Sequence, residues 1–198
     1  MRQAETGREV LIPEVLTPKD LTKRQQSVKK RFMPKYLSPD EVQHGLRGIK
    51  EPQEKMLCLF LWTTGCRISE ALAVSRQDLD LVNRLCTIRW LKSRKYHERV
   101  IPLHQSIVDV LAMYSGTMNG PDKLFPFTRQ RAWQIVNKHF KAHPHTLRHS
   151  FAVNYLRQGG RLTDLQQLLG HKTLNNTAIY TRLVPTELGT ELNKINFS

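Results

Sequence analysis

The chain has 198 residues, of which 39% are hydrophobic, so it is long enough for one ordinary domain with a buried core. Its 31 lysines and arginines outnumber its 17 acidic residues and give a formal net charge of +14, which indicates a polyanionic partner and favours nucleic acid over a membrane. The longest apolar run, Met56 to Trp62, is far shorter than the roughly 20 residues of a membrane-spanning helix, and the charged N-terminus is unlike a secretory signal, so we expect a cytoplasmic protein.

The chain opens with a basic stretch. Residues 1–35 lack sustained apolar periodicity, and the part from Lys19 to Lys35 has seven lysines or arginines against one acid, Asp20. This pattern predicts a mobile arm that contributes salt-sensitive contacts to phosphates, although a solvated tail without a role is an equal alternative. A compact domain follows, because Ser38-Pro39-Asp40-Glu41 has the form of a helix-starting capping box.

The remaining elements are mostly helical. A helix from Pro52 to Thr64 precedes Gly65, which is placed to end it in a left-handed turn just before Arg67. After a second helix from Ile68 to Val74, the sequences L-C-T-I-R-W-L and E-R-V-I-P-L alternate as two strands do, around a basic turn from Lys92 to His97. Further helical patterns cover Gln105 to Tyr114, Arg129 to Lys141, His145 to Gln158, Thr163 to Leu169 and Leu174 to Leu183, and a short amphipathic helix is possible within Val184 to Ser198. The expected fold class is therefore mostly α with a small antiparallel β-sheet (α+β).

Four residues of one C-terminal stretch have side chains suited to phosphodiester chemistry. His145 and Arg148 are three apart on a predicted helix, so both emerge on one face and can grip one phosphate. The same spacing recurs at His44, so spacing alone carries little weight. The context is what distinguishes the first pair, because L-L-G-H, ending at His171, and then Tyr180 follow it.

Tyr180 has two interpretations. Most tyrosines are half-buried structural aromatics, and this is the ordinary expectation for an isolated one. The alternative is a nucleophile, but a phenol with a pKa near 10 is only about one part in a thousand ionised at neutral pH. Attack therefore requires a nearby base or strong cationic stabilisation of the phosphate, which Arg67, Arg148 and the histidines can supply.

A metal site is the weaker alternative for the histidines. His143, His145, His149 and His171 show no zinc-type spacing with cysteine or carboxylate partners. The three cysteines are odd in number and widely spaced, which favours buried reduced thiols over disulfides; they are Cys58, Cys66 and Cys86. The sequence has no glycine-rich phosphate loop, paired-carboxylate signature or Ser/His/Asp arrangement, and we expect no metal and no cofactor.

Taken together, these motifs resemble those of the tyrosine recombinases, also called the phage integrase family. T-T-G-C-R-I-S-E-A-L resembles the first catalytic-arginine motif, whereas P-H-T-L-R-H-S-F-A and L-L-G-H-K-T-L-N-N-T-A-I-Y-T-R-L resemble the second. The resemblance covers residues 36–184 and implies the catalytic-domain fold of these DNA breaking-rejoining enzymes. The separate motifs occur in the family's order, which makes the match specific.

The resemblance also implies roles for individual residues. Arg67 and Arg148 would bind the scissile phosphate, His145 and His171 would assist proton transfer and orientation, and Tyr180 would attack. Glu70 corresponds to a supporting acid. The reaction would be a transesterification through a 3′-phosphotyrosyl intermediate, which conserves bond energy and requires neither ATP nor a metal.

The family places a general-acid lysine in a hairpin turn, and this chain offers two. The resemblance favours Lys92 over Lys95. The family pattern commonly reads G-K-G-x-K-x-R-x-V-P-L, whereas W-L-K-S-R-K-Y-H-E-R-V-I-P-L lacks glycines and is about two residues longer. The choice between the two lysines stays open at this point.

The implied function is site-specific recombination of double-stranded DNA in the nucleoid, by integration, excision, inversion or resolution. The resemblance implies a homo-tetramer on two DNA sites, C-terminal segments exchanged between protomers, residues 185–198 among them, and possible accessory DNA-bending proteins. Two alternatives remain: a topoisomerase IB-like enzyme that relaxes DNA without synapsis, and a catalytically silent DNA-binding accessory protein.

Typical members also carry a core-binding domain of roughly a hundred residues before the catalytic domain, whereas only about 35 residues precede Tyr36 here. The chain therefore resembles short single-domain members such as the fimbrial phase-variation invertases, or it is a catalytic fragment.

Overall fold

A computed structural model of the protein describes residues 34–92 and 95–181, with side chains for all of them except residues 91, 92, 95 and 96. Almost all of the expected basic arm (1–35) and the whole expected C-terminal segment (185–198) lie outside these ranges. The described elements, in chain order, are α1 (Pro39–Arg47), α2 (Pro52–Thr64), α3 (Ile68–Ala71), a 3-10 turn (Arg76–Asp78), β1 (Leu79–Asp80), β2 (Leu85–Lys92), β3 (Lys95–Pro102), α4 (Gln105–Ser115), α5 (Arg129–Phe140), α6 (Pro144–Arg157), α7 (Leu162–Leu169) and α8 (Asn175–Ala178). The expected fold class, mostly α with a small antiparallel sheet, is confirmed.

The start of the domain follows the capping box that the sequence predicts. The Ser38 hydroxyl accepts a hydrogen bond from the backbone N–H of Glu41, whose carboxylate accepts one from the Ser38 N–H at 2.7 Å. Two N–H groups that would otherwise lack partners at the helix start are thereby satisfied. The backbone N–H of Leu37, just before the cap, donates to the Ser150 hydroxyl at 2.8 Å and ties this start to α6.

Helix α2 runs through the middle of the core and positions the first arginine motif. It buries side chains on most of its circumference and packs against α4, α5 and α6. Gly65 ends it with φ +61°, in the left-handed region that the sequence predicts for this glycine. A Cβ at this position would collide with the ring of Phe151 on α6, so the glycine also permits the close packing of the two helices.

The sheet has three antiparallel strands in the order β1-β2-β3. The sequence predicts only β2 and β3. In β1, Leu79 pairs with Cys86, but two residues are too few to show a periodic pattern. The paired strands also extend further than expected, because the backbones of Trp90 and His97 are in register and their rings stack at 5.5 Å. The register continues to Lys92 opposite Lys95. The predicted bounds of the basic turn, Lys92 to His97, are therefore wrong, because both strands continue into that range.

Two short helices differ from the predicted lengths, and each difference has a tertiary cause. The predicted helix to Val74 ends at Ala71, because the Val74 carbonyl accepts from Leu124 N–H and Ser75 bridges to Lys123. These contacts pull the backbone into an extended conformation. The predicted helix from Leu174 is likewise only one turn, Asn175–Ala178, within the described part of the chain.

The buried side chains form two neighbouring clusters. The large one unites the inner faces of α1 to α6 with the sheet, and it includes the three cysteines, whose thiol pKa burial raises to about 12. The small one surrounds Tyr180 with residues of α6 and α7 and includes Ala152, Val153, Leu165 and Leu169. None of the helices in the described ranges combines the length and apolar character that crossing a bilayer requires.

Candidate active site

The start of α3 holds Arg67 against Glu70. The Glu70 carboxylate accepts hydrogen bonds from the Arg67 backbone N–H and from its guanidinium, both at 2.8 Å. Glu70 is buried, with 1% of its surface exposed, whereas Arg67 keeps about a third of its side chain in solvent. Because one side of the guanidinium is anchored and the rest is accessible, Arg67 can bind an incoming anion without first being ordered.

Glu70 has a second arginine partner, which the sequence analysis missed. Both terminal nitrogens of Arg99, on β3, donate to Glu70, at 3.2 and 2.8 Å, and Arg99 Nε donates to the Leu168 carbonyl at the end of α7. Burial alone would raise the pKa of Glu70, but the hydrogen bonds from Arg99 and Arg67 hold it at about 2. Glu70 is therefore a carboxylate that joins β3 to the Arg67 turn.

Arg148, on the second turn of α6, is the most buried cation of the site, with 3% of its surface exposed. Its guanidinium donates to the carbonyl of Gly65 at 2.7 Å and to that of Leu169 at 2.8 Å. Burial, followed by the charge of Arg67, lowers the Arg148 pKa to about 10, which still leaves it protonated at neutral pH. The two guanidinium charges repel each other. Binding of an anion between them would therefore be electrostatically favourable, because it offsets that repulsion.

His171 is held in one tautomer by its neighbours. Arg148 Nη2 lies 3.0 Å from His171 Nε2, and because a guanidinium can only donate, that ring nitrogen must accept. The proton of a neutral ring is then on Nδ1, which lies 2.9 Å from the hydroxyl of buried Thr177. Burial and the charges of Arg148 and Arg67 lower the His171 pKa to about 4, in agreement with a neutral ring.

Tyr180 lies in the turn after α8, with 1% of its surface exposed. Its hydroxyl is 2.9 Å from Nδ1 of His149, the residue after Arg148 on α6. Burial raises the pKa of Tyr180, while the charges of Arg148 and Arg67 oppose that rise. The phenol therefore lies within electrostatic reach of both arginines, next to a histidine that the sequence suggested by name only as part of the weaker metal-site alternative.

His145 lies at the exposed edge of the same face of α6. Its ring stacks on that of His143 at 5.3 Å and lies 6.4 Å from the ring of His149. Burial lowers its pKa, and the charges of His143, Arg148 and Arg67 act in the same direction. His145 is thus positioned beside the cationic pair, at the side open to solvent.

The two candidate lysines lie at the end of the β2–β3 hairpin. Lys92 ends β2 and faces Lys95, the first residue of β3, in the backbone register. The side chains of both lie outside the described part, so the choice between them stays a prediction.

Six of the seven predicted site residues therefore meet in one region, formed by the α3 start, α6 and the segment after α7. Arg99, His149 and Thr177 belong to it as well. His149 was detectable from sequence, because it follows His145 by four residues and so shares the helix face of that residue. The arginine of the quoted hairpin pattern aligns with Arg99, but the contact of Arg99 with Glu70 arises only through tertiary folding. Within residues 34–92 and 95–181, no three His, Cys, Asp or Glu side chains are arranged to hold a metal ion.

Comparison with known proteins agrees with this geometry. The family model described as the phage integrase family matches residues 35–187, and the chain belongs to that family. The tyrosine recombinase XerA of Pyrococcus horikoshii is 31% identical over 182 residues, covering 83% of this chain and 62% of the relative. The tyrosine recombinase XerC of Roseiflexus sp. is 32% identical, covering 84% of this chain and 61% of the relative. The chain thus spans about three fifths of the length of these curated relatives.

Solved structures show the same fold. A crystal structure of XerA recombinase superimposes with a TM-score of 0.68 at 25% identity, covering 92% of this chain and 84% of that one. The catalytic domain of bacteriophage HP1 integrase gives a TM-score of 0.65 at 20% identity, covering 81% of this chain and 94% of that domain. The described elements therefore form the catalytic-domain fold of the tyrosine recombinases.

Proposed function

We propose that the protein is a site-specific recombinase that cleaves and rejoins double-stranded DNA through a 3′-phosphotyrosyl intermediate. The observation that carries this proposal is the position of the Tyr180 hydroxyl, which lies close enough to Arg67 and Arg148 for their positive charges to act on its pKa. A phosphodiester between the two guanidinium groups would accept paired hydrogen bonds and relieve their mutual repulsion. The same groups would stabilise the extra negative charge of a pentacoordinate transition state.

The chemistry can be written with the groups at hand. The Tyr180 oxygen bonds to phosphorus while the bond from phosphorus to the 5′-oxygen breaks, which leaves a 3′-phosphotyrosyl link and a free 5′-hydroxyl. Arg67 and Arg148 hold the non-bridging oxygens, and His145 and His171 orient the phosphate. His171 is suited to this role because Arg148 and Thr177 fix its ring. Attack by a 5′-hydroxyl then reverses the step, so bond energy is conserved and no cofactor is consumed.

We assign the proton for the departing 5′-oxygen to a lysine of the hairpin end, with Lys92 preferred to Lys95. Their pairing in the backbone register places both at the same end of the sheet, which the Arg99 side chain ties to the phosphate site. Lys92→Ala should slow cleavage of an ordinary substrate but regain the rate on a 5′-phosphorothiolate substrate, whose leaving group needs no proton. Rescue of Lys95→Ala instead would transfer the assignment.

Recombination is preferred to the two alternatives because curated relatives of this chain are named tyrosine recombinases. In one related structure, the XerH site-specific recombinase is bound to its palindromic difH substrate in a post-cleavage complex. For this chain we propose the same partner class, double-stranded DNA, and assembly as a tetramer on two sites. A topoisomerase-like activity would instead relax supercoiled DNA that carries no specific site, and a silent accessory protein would form no covalent adduct.

The test is trapping on a nicked suicide substrate, which prevents religation. The wild-type protein should form a covalent protein–DNA adduct, and Tyr180→Phe should abolish it while DNA affinity stays nearly unchanged. Tyr155→Phe, a change of the same size in the same small cluster, is the matched control and should retain the adduct. An undiminished adduct in Tyr180→Phe would refute the assignment of the nucleophile. Sequencing of the trapped DNA would identify the target site.

The N-terminal arm is a separate proposal. If residues 1–35 contact phosphates, their deletion should flatten the dependence of log affinity on log salt concentration, because fewer counterions are released on binding. An unchanged slope would show that the arm is a bystander.

A further inference from the structure

His149 contacts the candidate nucleophile directly. Its Nδ1 lies 2.9 Å from the Tyr180 hydroxyl oxygen, and the two rings are 5.7 Å apart with a tilt of 50°. This distance is within the range that proton transfer requires. We propose that His149 is a catalytic residue whose Nδ1 accepts the phenol proton as Tyr180 attacks phosphorus; the proposal rests on the nucleophilic role of Tyr180.

The surroundings of the phenol make such an acceptor necessary. Tyr180 is almost fully buried, so bulk water has little access to its hydroxyl. The charges of Arg148 and Arg67 favour the phenolate, yet burial leaves the Tyr180 pKa above its ordinary value. Spontaneous ionisation at neutral pH is then rarer than in a free tyrosine, and a base in contact is the direct route to the phenolate.

His149 is also in the protonation state that a base needs. Burial, followed by the charges of His145, Arg148 and His143 on its own helix, lowers its pKa to about 4. The groups that face it from the segment after α7 are the Tyr180 hydroxyl and the ring of His171. At neutral pH the imidazole is therefore uncharged and has one nitrogen lone pair available to accept a proton.

The other two histidines of the site are less suited. Both nitrogens of His171 are engaged, Nε2 as an acceptor from Arg148 and Nδ1 beside the Thr177 hydroxyl. The His145 ring stacks on His143 towards solvent. Among the histidines of the described ranges, His149 alone is within hydrogen-bonding distance of the Tyr180 hydroxyl.

The proton of the phenol and the bonds at phosphorus change together in the proposed step. The Tyr180 O–H proton moves to His149 Nδ1, the phenolate oxygen forms a bond to phosphorus, and the bond to the 5′-oxygen breaks as the general acid protonates that oxygen. The imidazolium would be unfavourable beside two arginines alone, but the bound phosphate supplies compensating negative charge. During rejoining, the 5′-hydroxyl gives its proton to the neutral hairpin lysine as its oxygen attacks phosphorus, and His149 returns its proton to the departing Tyr180 oxygen.

Two substitutions separate proton transfer from positioning. Asparagine can place its amide oxygen near the position of Nδ1, so His149→Asn keeps a hydrogen-bond acceptor but cannot take a proton, whereas His149→Ala removes both functions. His143→Asn is the matched control, because it makes the same change at an exposed histidine of the same ring stack. His143 is the N-cap of α6, and asparagine is a favourable N-cap residue, so the helix start is preserved. Melting curves should show that the variants fold.

The measurement is the rate of adduct formation on the suicide substrate as a function of pH. We expect His149→Asn to be about 10²-fold slower than wild type near neutral pH. Its rate should then rise about tenfold per pH unit, because hydroxide must ionise the phenol in place of the histidine. Wild type and His143→Asn should show little dependence over the same interval. Trifluorotyrosine at position 180, a more acidic phenol, should restore much of the rate of His149→Asn.

Several results would overturn the proposal. A wild-type rate and pH profile in His149→Asn would show that the contact only positions the phenol. A faster rate in either variant would show that His149 restrains Tyr180 in a resting state. If His149→Asn does not fold, the chain with its native His149 still provides a test. A rate that rises about tenfold per pH unit with tyrosine at position 180, and that trifluorotyrosine makes independent of pH near neutrality, would exclude a protein base. An adduct that persists in Tyr180→Phe would instead refute the proposed function itself.

Discussion

Glu70 and Arg99 form a two-contact ion pair across 29 residues of sequence, with both terminal nitrogens of the arginine on one carboxylate. Glu70 has 1% and the Arg99 side chain 12% of its surface exposed, so neither charge is well solvated. The pair connects the strand that leads away from the hairpin end to the turn that carries Arg67. The geometry around Arg67 therefore depends on a contact between the first arginine motif and β3.

Removing the Glu70 charge should destabilise the domain. Glu70→Gln would leave two arginines without their shared carboxylate, and we expect a loss of about 3 kcal/mol in the free energy of unfolding. Urea denaturation would measure it. Glu98→Gln, which breaks the exposed contact of Glu98 with Arg89, is the control and should cost less than about 1 kcal/mol. Equal losses in the two variants would contradict the buried-pair argument.

Replacing Arg99 by lysine should impair cleavage although the charge is kept. Lysine cannot donate simultaneously to both oxygens of Glu70 and to the Leu168 carbonyl as the guanidinium does. We expect adduct formation to slow by about tenfold, with little change in DNA affinity, because the two arginines proposed to bind phosphate remain. Arg89→Lys on the neighbouring strand is the control. A loss of affinity without a change in rate would place Arg99 in DNA binding instead.

Thr177→Val should release the ring of His171. Valine has nearly the same shape as threonine but cannot accept the hydrogen bond from His171 Nδ1. The ring would then rotate more freely, and the adduct should form about tenfold more slowly. Thr173→Val, at an exposed position of the same segment, should have no effect. In nitrogen NMR spectra, the wild-type ring should appear neutral and protonated on Nδ1; protonation on Nε2 would contradict the assignment.

Gly170 should tolerate alanine less well than Gly159 does. Both have positive φ, +63° and +84°, so both variants carry backbone strain of about 1 kcal/mol. A Cβ at Gly170 would also lie 2.9 Å from Arg99 Nη1, whereas one at Gly159 would meet nothing within 4 Å. Gly170→Ala should therefore lower both stability and cleavage rate, and Gly159→Ala only stability. Equal cleavage rates would show that Arg99 can move aside without consequence.

Stability should decrease as the pH falls from 6.5 towards 4. His149 and His171 have a pKa of about 4 in the folded protein against an ordinary value of 6.5, so the unfolded chain binds protons first in this interval. Below about 4.5 the low pKa of Glu70 adds a further loss in the same direction. Melting temperatures measured from pH 8 to 4 would test this. The combined His149→Asn and His171→Asn variant should show a smaller slope above pH 4.5, while the exposed control His104→Asn should not.

Local signals in the sequence predicted much of this molecule. The capping box at Ser38 and the left-handed turn at Gly65 depend on a few adjacent residues, and both are confirmed. The family resemblance predicted that the motif residues form one site, and the structure brings six of them together. These features required no knowledge of distant contacts.

The features that sequence did not predict arise from long-range contacts. The α3 helix is shorter than its pattern because Val74 bonds to Leu124, fifty residues away in sequence. Next to the one-turn α8, the Thr177 hydroxyl lies 2.9 Å from His171 Nδ1 and Tyr180 is buried in the small apolar cluster, and helical periodicity predicts neither contact. Arg99 was overlooked because a lone arginine on a strand is ordinarily a solvated one. Periodicity reports which face is apolar, not which distant group occupies it.

The two carbonyls that hold Arg148 belong to residues 83 and 21 positions away along the chain. A nascent or partly unfolded polypeptide of this composition would still adhere to nucleic acid through its positive charge. It would not yet possess an oriented guanidinium at position 148, and so it could not break a strand. Under the proposed function, strand cleavage would therefore begin only after folding is complete, because only the folded chain presents this guanidinium to a phosphate.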